Sequence, residues 1–124
     1  MIYLRPVGRR QRRVSLSSRP AASVSEYRDA EGNVLSLRDR LSPGAVRKIA
    51  ELERRPAASA DDLWQRRAEL LFERLVVGWT IAGLPLSGQQ ELLGRYRMAN
   101  EETRRWIRQT IVAHVRERQP DVDV

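Results

Sequence analysis

The chain has no cysteine, one histidine, one phenylalanine and one lysine among its 124 residues. Without cysteine there is no disulfide, no thiol nucleophile and no thiolate metal site, a usage that accords with a reducing cytoplasm. His114 stands alone, so neither HxxxH nor HExxH can form, and a lone imidazole makes a poor zinc site. No apolar run approaches the roughly 18 residues of a membrane span. The N-terminus has arginines but no apolar h-region, so no signal peptide and no membrane partner are expected. Gly78, Gly83 and Gly88 do not fall into a GxxxxGK[ST] or GxGxxG loop, and no serine sits in GxSxG. The expectation is a non-enzymatic protein with no cofactor.

What is present is charge, and it is unevenly placed. Lys48 is the sole lysine among 23 basic residues, a bias that GC-rich codon usage produces. Arg5, Arg9, Arg10, Arg12, Arg13 and Arg19 fall within the first 20 residues, and no acid precedes Glu26. Removing those six from 23 leaves 17 bases against 16 acids in the rest of the chain. The basicity therefore belongs to an arm over residues 1–22, with few large apolar groups to bury. Such an arm can meet nucleic acid through phosphates, although only Tyr3 is aromatic there. It can equally serve as a solubilising arm or order on a protein neighbour.

The remainder, residues 23–119, reads as one mainly helical domain of α+β class, opened by a small β-hairpin and followed by about four helices. In the hairpin, residues 23–39, Val24 and Tyr27 lead to Asp29-Ala30-Glu31-Gly32-Asn33, then Val34, Leu35 and Leu37. Gly32 and Asn33 are expected to supply the positive φ of the turn. Capping signals predict helices at 43–54, 60–82, 88–98 and 101–118. Ser42-Pro43 begins the first, with Leu41 stapled on Val46. Pro56 to Ser59 is a linker, and Ser59 with Asp62 caps the second helix. Gly83 and Pro85 are expected to end it. Ser87 with Gln90 and then Asn100 open the last two. Residues 120–124 are expected to fray.

The central segment, residues 60–82, is apolar over much of a helical wheel. Trp64, Ala68, Leu71, Phe72, Leu75, Val76 and Trp79 form one face, from which Trp64, Phe72 and Trp79 are expected to anchor the core. Leu63, Leu70, Val77 and Ile81 form a second stripe, with Arg67 and Arg74 between the two. A small domain has difficulty covering both, so Leu63, Arg67, Leu70, Arg74, Val77 and Ile81 are the candidate partner-binding surface, the arginine stems lying along it. The acidic pairs Asp61/Asp62 and Glu101/Glu102 look like acid–base candidates but lie in first helical turns, where capping explains them. His114 falls near the apolar side of the last helix and reads as a packed residue.

Residues 70–86, LLFERLVVGWTIAGLPL, resemble small tail assembly chaperones of siphophage type, especially those of actinobacterial phages. Leu75, Val76, Val77 and Trp79 match an apolar LVVxW helix core in that family, and Leu84, Pro85 and Leu86 match the LPL that follows it. The upstream hairpin and LRDRLSPGAVRKIAEL resemble the family's N-terminal part, and the likeness spans roughly residues 34–118. The Arg-rich arm is not part of it. The resemblance implies a chaperone of the bacterial host cytoplasm that keeps a tape measure protein, or another tail protein, soluble during tail assembly. Self-association is compatible with that role. The alternatives are a small nucleic-acid-binding protein using the arm, or a structural component of a phage-like particle.

Overall fold

The computed structural model describes residues 23–54 and 59–124. The basic arm, with its six arginines, and residues 56–58 of the linker lie outside the described residues. The elements run β1 (Val24–Arg28), β2 (Val34–Arg38), α1 (Pro43–Arg54), α2 (Ala60–Leu75), β3 (Val76–Ile81), β4 (Leu84–Leu86), α3 (Gln89–Met98) and α4 (Glu101–Arg118). The α+β class, the N-terminal hairpin and the four helices all stand.

The sheet is larger than the expected hairpin. It has four antiparallel strands in the order β1-β2-β3-β4. Its second half comes from residues 76–86, the stretch expected to continue the central helix and end it. That helix stops at Leu75, where Val76 takes an extended conformation with ψ 122°. The physical reason lies in side chains and pairing. Val76, Val77, Thr80 and Ile81 are β-branched and stiff in a helix, while β2 offers an open edge of backbone donors and acceptors. The apolar spacing that looked helical is explained by a bulge. Ser36 pairs with Gly78 but Leu37 pairs with Val76, which leaves Val77 as an extra residue on β3. Three-residue spacing would put Val76 and Trp79 on opposite faces of a regular strand. The bulge returns both to the buried face.

The β3–β4 connection has two residues, Ala82 and Gly83, with φ of 51° and 81°. Positive φ at both central positions suits a type I′ turn, which matches the twist of paired strands. Gly32, at φ 85°, makes the corresponding bend between β1 and β2. Asn33 does not share that conformation. Its side chain instead donates to Asp29 and accepts from the Ala82 N–H at 3.0 Å, tying the two turns together.

Tyr27, Leu35, Trp79 and Leu86 form one cross-strand row on the inner face of the sheet. Against it pack Leu71, Phe72 and Leu75 of α2, Leu92 and Tyr96 of α3, and Ile107, Ile111 and Val115 of α4. Phe72 is the hub. It stacks on Tyr96 with ring centroids 4.6 Å apart and meets Trp79 edge-on at 6.2 Å. The residues of β1 and β2 that alternate with this row include the exposed Val24, Glu26, Arg28 and Arg38, so that face meets solvent.

Helix starts follow the expected chemistry at Ser42, Ser59 and Asn100, whose side chains accept from Ala45, Asp62 and Thr103 N–H groups. The Ser87–Gln90 box does not form. The helix begins at Gln89, so Gly88 occupies the cap position, and it has no side chain to offer.

His114 is 1% exposed, and both ring nitrogens are engaged. The Arg38 carbonyl can only accept, so His114 Nε2 donates to it at 2.7 Å. In the neutral ring Nδ1 then accepts from the Tyr27 hydroxyl at 2.6 Å. This clasp locks α4 to the first hairpin. A second one lies nearby, where the buried Gln119 amide accepts from the Leu41 N–H and donates to the Leu41 carbonyl. The last residues, expected to fray, carry a turn in which Val122 N–H bonds to Gln119 O at 2.9 Å. Val122 and Val124 pack, partly buried, against the core.

Candidate functional site: a groove between α2 and α4

The expected binding stripe is not one surface. Leu63, Arg67, Leu70 and Arg74 are on α2, whereas Val77 is the bulge residue of β3 and Ile81 ends that strand. The helical wheel that joined them fails because the helix stops at Leu75. Leu70 and Ile81 are half-buried against the core. Arg74 is exposed on a polar cleft of about 1000 Å³ that also contains Arg38, Arg40, Glu73, Glu117 and Arg118. Of the six residues, only Arg67 contributes to the apolar groove described next.

Trp64 moves the other way. Expected in the core, it is 51% exposed, against 4% for Trp79. Its place in the first turns of α2, between Asp61, Asp62, Gln65 and Arg66, was the signal available in the sequence. With Ala68 and Leu71 it follows the i, i+4, i+7 spacing of one helical face. That face lines a groove of about 280 Å³ whose opposite wall is Ile111 and Val112 of α4. Three arginines, Arg67, Arg108 and Arg116, also line it, and Val124 reaches it from the end of the described chain.

The arginines differ in how firmly they are held. Arg108 lies over the Trp64 ring with its guanidinium carbon 4.2 Å from the ring centroid. Its side chain is only 14% exposed and pairs with Glu101 at 2.8 Å. Burial opposes the Arg108 charge, but hydrogen bonds to Glu101 and Tyr96 outweigh it and hold the guanidinium pKa above its ordinary value. Hydrogen bonds from Arg108 and Arg104 lower the Glu101 pKa in turn. Arg67 pairs with Glu53 of α1 through one terminal nitrogen at 2.6 Å. Its Nε is buried with no hydrogen-bond partner among the described residues.

The floor of the groove is apolar, an aromatic ring stands at one side, and of its three arginines Arg67 and Arg108 are paired with Glu53 and Glu101. Among the described residues no cluster of three or more His, Cys, Asp or Glu side chains could hold a metal ion. No described helix is long and apolar enough to cross a membrane. No protein-family model, no curated protein and no solved structure matches this chain.

Proposed function

We propose that this chain is a non-catalytic assembly factor that binds another protein, of the tail assembly chaperone kind that residues 70–86 resemble. Its client on this reading is a tape measure protein or another tail component, held soluble in the host cytoplasm during tail assembly. The observation that carries the reading is Trp64, half-exposed beside an apolar groove rather than packed in the core. Tryptophan flanked by arginine is the composition enriched at the centres of protein interfaces. A holdase needs such a surface on a body whose remaining charge keeps the complex dispersed.

The test is co-expression with a siphophage tape measure protein that is insoluble alone. The full chain should carry that protein into the soluble fraction and co-purify with it, and Trp64→Ala should reduce the recovered complex at least fivefold. A tape measure protein that stays insoluble, or a Trp64→Ala variant that rescues it fully, would overturn the reading.

A further inference from the structure

We infer that the open edge of the sheet, strand β1, is an interface between two copies of this chain, joined antiparallel about a twofold axis so that Glu26 of each copy faces Arg28 of the other. None of the residues of β1 lines the α2–α4 groove, so this interface is independent of the client reading above.

The two edges of the sheet differ in what their backbones offer. β4 has three residues, and the two-residue turn before it makes Ile81 and Leu84 a hydrogen-bonded pair. By alternation Pro85 is the β4 residue whose backbone points away from β3, and proline has no N–H to donate. That edge is blunted. β1 has five residues, no proline, and a regular register with β2. Asp39 N–H bonds to Ser23 O and Asp29 N–H to Asn33 O, each at 3.0 Å, so the odd-numbered residues are the ones bonded to the β2 side. Val24, Glu26 and Arg28 therefore turn their N–H and C=O groups toward the open side, where no strand among the described residues pairs with them. An edge of this kind is a template for another strand.

The side chains on this edge select the occupant. Val24, Glu26 and Arg28 project on the solvent face, and all three are exposed. Among the described residues neither Glu26 nor Arg28 enters an ion pair, and Arg28 reaches only the Gly32 carbonyl, at 3.5 Å. Opposite charges two positions apart on one strand are self-complementary. Centring the twofold axis on Tyr27 sets Glu26 opposite Arg28 of the second copy and Arg28 opposite its Glu26. Both are pairs of even-numbered residues, whose open backbone groups then exchange N–H···O=C bonds in both directions. Centring the axis on Glu26 would instead set that carboxylate against itself, which like charge disfavours. The axis stands normal to the sheet, so the helices of both copies lie on one side and the two solvent faces join on the other.

Sedimentation velocity of the full chain at low salt, from about 5 to about 500 µM, reads the association. The parent should pass from monomer to dimer within that range. Hydrogen exchange should slow at the Glu26 and Arg28 amides as concentration rises, while the Val24 amide, opposite the turn residue Ala30 of the second copy, should not change. Glu26→Arg and Arg28→Glu each place like charges opposite one another and should weaken the dimer about tenfold. Both side chains are exposed, so thermal melts should match the parent. The double variant Glu26→Arg/Arg28→Glu should recover the parent's association, and an equimolar mixture of the two single variants should form a mixed dimer. A chain that stays monomeric throughout, single variants that associate like the parent, a double variant that fails to recover, or exchange unchanged at Glu26 and Arg28 would each overturn the inference. Loss of the dimer leaves rescue of the tape measure protein to be judged on its own, and failure of that rescue leaves the dimer standing.

Discussion

Residues 60–75 and residues 76–86 follow one another without a linker, and both are rich in large apolar side chains, yet one is a helix and the other a hairpin. The difference begins in composition. Residues 60–75 hold Ala, Leu, Gln, Arg and Glu, which lose little freedom in a helix, and start with Ser59 as an effective cap. Residues 76–81 hold three β-branched side chains and Trp79 in addition to Val76, with Gly78 among them. Neither glycine nor proline marks the boundary at Leu75. The helix ends where pairing with β2 becomes available to the backbone. The two tryptophans follow their segments. Trp79 is fastened in the sheet between Leu35 and Leu86, and Trp64 stands at the rim of a groove. Apolar spacing therefore locates surface to be covered, but not which element covers it.

The largest expected effect is the contrast between those two residues. Trp79→Ala should lower stability by about 3–5 kcal/mol, since it empties a site packed on Phe72 and Leu35. Trp64→Ala should lower it by less than about 1 kcal/mol, the worth of an exposed ring with one cation beside it. Urea melts of both variants measure the gap, and similar losses would place Trp64 in the core after all.

A smaller effect is expected where the helical half meets the sheet through His114. His114→Phe keeps most of the volume but leaves the Tyr27 hydroxyl and the Arg38 carbonyl without their ring partner. The loss should be about 1–3 kcal/mol. The double variant His114→Phe/Tyr27→Phe should recover part of it, because one orphaned group is removed. Additive losses in that cycle would argue that the two residues are not coupled.

The hairpin can also be strengthened. Ala82 holds φ 51°, a conformation that costs an L-residue more than glycine. Ala82→Gly should leave stability unchanged or raise it by up to about 1 kcal/mol, with the gain limited by the greater freedom of glycine in the unfolded chain. Thermal denaturation decides it, and a drop in Tm would place the turn in a different geometry.

The smallest effect concerns pH at the Glu101–Arg108 pair. Arg108 and Arg104 hold the Glu101 carboxyl below its ordinary pKa. A depressed folded-state pKa contributes stability that is complete above the ordinary carboxylate value and is lost as pH falls through the depressed one. Melts taken from about pH 6 to about pH 3 should thus show a shallower acid loss for Glu101→Gln than for the parent. An identical slope in both would remove Glu101 from the acid transition.

Much of the α+β arrangement was legible in short-range chemistry. Ser42, Ser59 and Asn100 open their helices as their side chains dictate, and Gly32 bends the first hairpin. The candidate site was legible only through Arg67. Trp64 and Arg108 are 44 positions apart in sequence numbering, as 108 less 64, and their contact depends on how α2 lies against α4. No local pattern encodes that packing.

Sequence by itself determined where helices start, because a cap is a contact between a side chain and the backbone two or three residues on. It also determined that the charge-rich body carries more apolar surface in residues 60–86 than one helical face can bury. Tertiary structure decided the rest. It ended α2 at Leu75, inserted Val77 as a bulge so that Val76 and Trp79 share a face, and turned Trp64 out toward α4. Each of these outcomes depends on a partner distant along the chain. The energy that favours strand over helix at Val76 comes from the β2 edge, and only the assembled fold brings that edge within hydrogen-bonding distance.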